Sequence, residues 1–367
     1  MRVGIDATLA AQERIVGISR FVVNVVEQLA QIPGPERYDL FYRPRALRQP
    51  RRFWHPDDPR FHARLLCFPL TLASFRRLDV YCSTYQWLPH YCGPAPIVGM
   101  LHDIVYLSRP DLGSRRTRER AQARYRDVAA RSTLVATLSE YSKAEIVRHL
   151  GVAPERVRVV PLAAEASYAP QAPERVAEVR RRFGLQQPYV LFAGGFARRK
   201  NASGAVRAFA RALPQLPPDL CLALSGAGGP LQDEALALVR DAGLAERVKR
   251  LGYVPDEDYP ALMSGCEVFF LPTLLEGFGL PLLEAMACGA AVLSSSTTSV
   301  PEVCGDAAVL VDPEDDAALA EALAALVADA PRRQELRRLG FERAAQFSWQ
   351  RTAEILLSVC REAAQSV

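Results

Sequence analysis

The chain has 367 residues, 49% hydrophobic and 23% charged, with a formal net charge of +4. That length and balance fit a globular protein of two domains with ample cores, and no apolar run is long enough to span a bilayer. The 8 cysteines are scattered without a C-x-x-C pair, which disfavours a disulfide scaffold and a zinc site.

Arg2 and Asp6 interrupt the stretch that a signal peptide would keep apolar, so a reducing cytoplasm is the expected location. The charge is unevenly spread. Residues 1–167 hold 25 Lys and Arg against 16 Asp and Glu, a net +9, while the rest hold 20 against 25, a net −5. One arginine cluster includes Arg43, Arg45, Arg48, Arg51 and Arg52; another includes Arg115, Arg116, Arg118, Arg120, Arg124 and Arg126. Such arginines either solvate helices or form a surface for an anionic lipid or an anionic acceptor. No nucleic-acid motif accompanies them, so nucleic acid is not expected as a partner.

In chain order, Val3–Ile5 reads as a strand, followed by a loop with Gly17 and a helix from about Ser19 to Ala30. Further short strands are expected at Val80–Tyr81, Ile97–Leu101, Leu134–Thr137 and Val157–Pro161. Ser139 suits the N-cap of a helix running to Leu150. The proline-bearing stretch Ala169–Gln187 marks a boundary, giving a first domain over 1–168 and a second over 169–348. The second series has strands near Tyr189–Ala193, Cys221–Ser225, Lys249–Leu251, Val268–Leu271, Ala291–Ser294 and Ala308–Val311. Helices fall between them near Ser203–Ala212, Gln232–Ala242, Tyr259–Ser264, Pro281–Cys288 and Asp316–Ala328. A long helix from Trp349 closes the chain over 349–367. Alternating strands and helices argue for an α/β protein with two Rossmann-like domains in tandem. Ligands of such parallel sheets bind beyond the carboxyl ends of the strands.

The most telling segment is Leu275–Gly289, LEGFGLPLLEAMACG. Pro281 suits the first helical position and Gly289 the stop just past the helix end. Glu284 is then expected in the first helical turn and Glu276 on the loop before it. Amides of Phe278, Gly279 and Leu280 would point out of a helix N-terminus, a ready anion site. Two acids for hydroxyls beside amides for phosphate are what a nucleotide-sugar requires. Asp256-Glu257-Asp258 fits a D-x-D metal pattern but reads as an acidic helix start before Tyr259, so no metal is expected.

These segments resemble the retaining family 4 glycosyltransferases of GT-B fold, most closely bacterial mannosyl- and rhamnosyltransferases of surface polysaccharides. The resemblance runs through MRVGIDATL with GISRF, MLHDIVYLSRP, TLSEYSKAEI with VRVVPLA, and YVLFAGGFARRKN. It is most specific over RLGYVPDEDYPALMSGCEVFFLPTLLEGFGLPLLEAMACG and SVPEVCGDAAVLVDP. The chain departs from many relatives at Ser19, where they carry a second glycine, and at Gly195, where they carry an arginine.

The resemblance implies an acceptor-side domain facing a donor domain across a cleft, with the last helix crossing back onto the first. It implies that Arg199 and Lys200 hold the donor diphosphate, with Arg199 taking the arginine role. Gly17 would let the backbone approach the same phosphates. Glu284 would accept from the ribose hydroxyls and Glu276 from the donor-sugar hydroxyls. Gly252, Tyr253 and Val254 would flank the nucleobase, and His102 would lie near the reacting carbon. The implied reaction moves a hexose from a nucleotide-sugar, GDP-mannose first, to a hydroxyl of a glycan or lipid-linked glycan, with no cofactor and no metal. UDP- or dTDP-sugars with a soluble acceptor are the alternative, and a non-catalytic nucleotide-sugar-binding subunit is the alternative of another class. A cytoplasmic protein, peripheral on the inner face of an anionic membrane, is the implied setting.

Overall fold

A computed structural model describes residues 1–13, 17–67, 71–226 and 230–366. The chain divides into two compact units, Met1–Leu162 with Ser348–Val367, and Ala163–Phe347.

The first unit is built on seven parallel strands: β1 (Arg2–Asp6), β2 (Arg37–Tyr42), β3 (Phe61–Leu65), β4 (Val80–Ser83), β5 (Ile97–Met100), β6 (Leu134–Thr137) and β7 (Val157–Val159). Their order is β3-β2-β1-β4-β5-β6-β7, with Ile5 paired to Leu40 on one side and Cys82 on the other. Parallel neighbours need crossover connections, and helices such as Ile18–Gln31, Arg115–Arg131 and Glu140–Leu150 supply them. Ser139 caps the last of these by accepting from the Ser142 amide at 3.0 Å.

Strands β2 and β3 do not stand out in the sequence. Asp39 sits in the middle of β2 yet is only 1% exposed, and a buried acid breaks the apolar signature of an inner strand. It is held by Arg2 from β1 (Nε to Oδ2, 2.6 Å) and Arg64 from β3 (Nε to Oδ1, 3.1 Å). The acid thus tolerates burial because its sheet neighbours supply the countercharge.

The C-terminal helix Trp349–Gln365 crosses back onto this first unit and packs beside Ile18–Gln31. Ser348 caps it, accepting from the Arg351 amide at 3.2 Å. Thr352 Oγ1 donates to the Pro161 carbonyl at 2.7 Å, and Arg361 reaches Glu36 at 2.6 Å.

The second unit has six parallel strands: β8 (Tyr189–Ala193), β9 (Cys221–Ser225), β10 (Val248–Gly252), β11 (Val268–Leu271), β12 (Val292–Ser295) and β13 (Ala308–Val311). Their order is β10-β9-β8-β11-β12-β13. Both units are therefore α/β and Rossmann-like. The strand order reverses at β1/β4 in the first and at β8/β11 in the second, and such switch points open the crevice where ligands bind. The proline-bearing stretch before β8 is not open chain: Pro173 starts a helix to Arg182, where its missing N–H costs nothing. A helix over Ala330–Ala344 also escapes the sequence pattern, because its dense charge hides a thin apolar stripe that includes the buried Leu336 and Gly340.

Candidate functional site

The second unit gathers its chemistry at the β8/β11 switch point. After β8 the chain passes Gly194 and Gly195 into a 3-10 turn, Arg198–Lys200. Asn201 then takes a left-handed conformation (φ 57°), and its side chain caps Ala202–Ala212 by accepting from the Gly204 amide at 3.1 Å. Gly194 matters for packing: a Cβ there would lie 3.2 Å from Lys200 Cδ, so the glycine lets the lysine stem lie along the strand end. After β11 the chain turns through Thr273 to Glu276. Leu274 N donates to the Arg199 carbonyl at 2.7 Å and ties the two strand ends together.

Three of the expected residues meet here. Lys200 Nζ lies 2.6 Å from Glu276 Oε1, and Arg199 NH1 lies 3.0 Å from Oε2. Lys200 and Glu276 are each 5% exposed. Burial by itself would raise the Glu276 pKa, but the charges of Lys200 and Arg199, with hydrogen bonds from Lys200 and Thr273, hold it below the ordinary value. Burial also pulls the Lys200 ammonium down, with Glu276 opposing. Two cations and one carboxylate therefore form a cluster with a net positive bias, the Lys200–Glu276 pair buried and Arg199 at its partly exposed edge, suited to an incoming anion.

The hydroxyls around Glu276 were not singled out in the sequence. Thr273 Oγ1 lies 3.0 Å from Glu276 Oε1, Ser299 Oγ donates to the Glu276 carbonyl at 2.9 Å, and Glu276 N donates to Thr298 Oγ1 at 3.3 Å. Thr298 sits at φ 61°, a strained value for a β-branched residue. For Thr298 and Ser299 the signal was present as the hydroxyl run Ser294–Ser299, which begins in β12 and ends on the serine of SVPE.

The LEGFGLPLLEAMACG segment forms the turn and helix expected of it, with one shift. The helix spans Leu280–Ala287, so Pro281 is its second residue, and Glu284 lies one residue further in than expected, at the start of the second turn. Gly279 supplies the N-cap at φ 101°, a value open to glycine, and the chain enters the helix one residue before the proline. Gly289 turns left-handed just past the end, at φ 77°. Glu284 is 5% exposed. Phe278 is buried with its ring edge-on to Phe347, 5.7 Å between centroids, so it anchors the turn while Gly279 and Leu280 complete it.

Gly252 ends β10 at φ 69°, and its carbonyl accepts from the Gly226 amide at 2.9 Å. Tyr253 beside it is 51% exposed and Val254 is buried. In the acidic trio that follows, Asp258 is fully buried, with Arg175 and Arg182 each 2.6 Å from its carboxylate. Among the described residues no group of three His, Cys, Asp or Glu side chains is placed to hold a metal ion.

The remaining two expected residues belong to the first unit. Gly17 precedes the helix Ile18–Gln31 at φ 53°, ψ −119°, a backbone state that disfavours any side chain. His102 follows β5 and is 5% exposed, edge-on to Phe21 at 5.3 Å. Its Nε2 is 2.9 Å from the Thr84 carbonyl; since a carbonyl only accepts, Nε2 carries the proton. Burial lowers the His102 pKa, against the Thr84 hydrogen bond and the Asp103 charge, so the ring is neutral at pH 7. Asp103 Oδ1 accepts from the Val105 amide at 3.3 Å, a local turn-capping role. No described helix is long and apolar enough to cross a membrane.

Comparison with known proteins accords with this architecture. Residues 15–168 match the model of Glycosyltransferase Family 4, and residues 177–343 that of Glycosyl transferases group 1. An O-antigen chain mannosyltransferase B from Escherichia coli is 32% identical over 369 residues, covering 94% of this chain and 96% of that protein. Among solved structures, a sucrose-phosphate synthase from Thermosynechococcus elongatus superposes with a TM-score of 0.76 at 22% identity, covering all of both chains. An Anabaena protein, HepE, solved with UDP-glucose, gives a TM-score of 0.70 at 18% identity, covering 100% of this chain and 98% of that one. With the two sheets, the paired family matches and the full-length likeness together, this chain belongs to the family 4 glycosyltransferases of GT-B fold and is a hexosyltransferase.

Proposed function

We propose that the protein transfers a mannosyl residue from GDP-mannose to a hydroxyl of a glycan or lipid-linked glycan, with retention at the anomeric carbon. The observation that carries the reading is the Arg199–Lys200–Glu276 cluster at the β8/β11 switch point. The mannosyl part leans on the Escherichia coli mannosyltransferase that the chain resembles over nearly its full length.

In this reading the donor diphosphate draws Arg199 and Lys200 away from Glu276. Fixed cations then stabilise the charge that develops on the leaving nucleoside diphosphate, a task that in other transferases falls to a metal ion. Amides of Phe278, Gly279 and Leu280, at the positive end of their helix, add to that field. The Glu276 oxygens released by the cations accept from donor-sugar hydroxyls, and Glu284 accepts from the ribose. Tyr253, between Gly252 and Val254, borders the base. Gly17 lets the backbone approach the phosphates, and the neutral His102 lies near the reacting carbon. The acceptor oxygen bonds to C1 on the face from which the C1–phosphate bond breaks, and the departing phosphate oxygen takes the acceptor proton. No resident metal or cofactor enters this scheme. Work at the inner face of an anionic membrane belongs to the same reading and is supported by the +9 balance of residues 1–167.

The test is a thermal-shift screen with GDP, UDP, dTDP and ADP, followed by turnover of the matching sugars with and without EDTA and by anomer assignment of the product. Selective stabilisation by GDP and an EDTA-insensitive α-mannoside are expected. An inverted product, or turnover confined to another nucleotide, would sink the corresponding part.

A further inference from the structure

Glu276 lies on the loop between β11 and the helix Leu280–Ala287, so neither a strand nor a helix fixes its backbone. A row of hydroxyls from β12 and the loop after it holds that segment instead. Ser294 Oγ donates to the Leu271 carbonyl at 2.7 Å, and Ser295 Oγ donates to the Thr273 carbonyl. The row then reaches both peptide groups of Glu276 itself. Its N–H donates to Thr298 Oγ1 at 3.3 Å, and its carbonyl accepts from Ser299 Oγ at 2.9 Å. Ser294, Ser295 and Ser299 are fully buried.

The last two contacts are made against local preference. Thr298 has φ 61°, a region that strains a β-branched residue and leaves glycine unstrained. Ser299 stands at the N-cap of the helix Val300–Cys304, where a serine hydroxyl ordinarily accepts from the amides of its own helix. Here it makes no capping bond and turns to the Glu276 carbonyl. Two successive residues thus forgo local stability at the point where Glu276 is gripped. Backbone strain persists only where its surroundings over-determine it, and it gathers at functional sites.

We propose that Thr298 and Ser299 are positioning residues for the transfer, clamping Glu276 by its N–H and its C=O while touching neither substrate themselves. The Glu276 carboxylate reaches Lys200 at 2.6 Å and Arg199 at 3.0 Å, a geometry that leaves its backbone little latitude. With both peptide groups held, the carboxylate keeps its aim when the cations turn to the diphosphate, and the donor-sugar hydroxyls meet it already oriented. This rests on the reading in which Glu276 accepts from the donor sugar.

The test compares T298G, T298S, E276A and the double variant T298G–E276A in the full chain. T298G adopts the left-handed backbone freely but has no hydroxyl; T298S keeps the hydroxyl. The rate is release of nucleoside diphosphate from GDP-mannose, or from the sugar nucleotide that the thermal-shift screen selects, with methyl α-mannoside as acceptor. T298G should melt close to the wild type, because relief of strain offsets the lost hydrogen bond. Its kcat should nevertheless fall at least ~10-fold, the scale for a displaced reacting group. Its affinity for the bare nucleoside diphosphate should stay within ~2-fold. T298S should recover most of the rate. T298G–E276A should be no slower than E276A, since Thr298 acts only through Glu276. Amide exchange of peptides spanning Glu276 should quicken in T298G and not in T298S, whatever the turnover.

A T298G enzyme at the wild-type kcat, a T298S enzyme as slow as T298G, a further ~10-fold loss in the double variant, or unchanged amide exchange in T298G would each overturn the proposal. The two readings separate. E276A at the wild-type rate would remove the Glu276 assignment and the clamp with it. A slow E276A beside a full-rate T298G would remove the clamp alone.

Discussion

Lys200 Nζ lies 2.6 Å from Oε1 of Glu276, and both side chains are buried. The two residues are separated by 76 positions and meet because β8 and β11 are neighbours in the sheet although not in sequence. In the proposed reading the carboxylate competes with the donor diphosphate for the same two cations.

Glu276→Gln removes that competition. Transfer should fall by about 10²–10³-fold, the scale for losing one fixed contact to a transition state. Affinity for the bare nucleoside diphosphate should hold or rise, since Lys200 and Arg199 lose an internal partner. Titration with GDP beside steady-state rates separates the two effects; parallel loss of both would contradict the competition.

Thr273→Val keeps the shape beside Glu276 and removes the hydroxyl that lies 3.0 Å from Oε1 and 2.8 Å from the Arg199 carbonyl. Leaving buried acceptors short of a donor should cost about 1–2 kcal/mol, read as a lower urea midpoint at unchanged slope. The rate should fall as well, because the hydroxyl positions both strand ends.

The lowered Glu276 pKa makes a signed prediction about acid. A depressed carboxylate contributes stability above its unfolded value, about 4.3, and loses it as pH falls through the folded pKa below that. Urea midpoints from about pH 6 to about pH 3 should therefore fall more for the wild type than for Glu276→Gln. Parallel acid limbs would show that the pair does not stabilise the fold.

Asp39→Asn tests the charge ladder of the first sheet. Asp39 is 1% exposed, but Arg2 and Arg64 are 26% and 39% exposed, so the loss should be about 2 kcal/mol, below the full cost of breaking a buried pair. Equilibrium unfolding measures it, and donor turnover should not change at saturating substrate.

Ending the chain at Phe347 removes Leu356, Val359, Cys360 and Ala363, all buried within the first unit. The apolar face left behind should make that unit insoluble or molten, seen as aggregation or loss of near-ultraviolet dichroism, however intact the second unit stays. A soluble, cooperatively folding 1–347 chain would show that the helix is dispensable.

Much of the architecture was legible because local patterns and tertiary fold agree. The glycine-bounded turn at Gly279 and Gly289, the serine cap at 139 and the apolar strand cores each encode their own geometry. The strand Arg37–Tyr42 was hidden by Asp39, whose burial makes sense only beside Arg2 and Arg64. The hydroxyls that hold Glu276 were equally hidden, since a run of Ser and Thr reads as an ordinary loop until the sheet sets it against β11.

The sequence by itself determined what is local: two α/β units, a glycine-capped helix after Glu276, and the residue types on which the proposed nucleotide-sugar site rests. Turn chemistry and periodicity act over a few residues, so they survive in one dimension. Only the tertiary structure decided that Arg199, Lys200 and Glu276 form one cluster around a buried ion pair, and that Asp258 is neutralised by two arginines. Electrostatic energy depends on distance and burial in space, and strand order, not sequence separation, sets both.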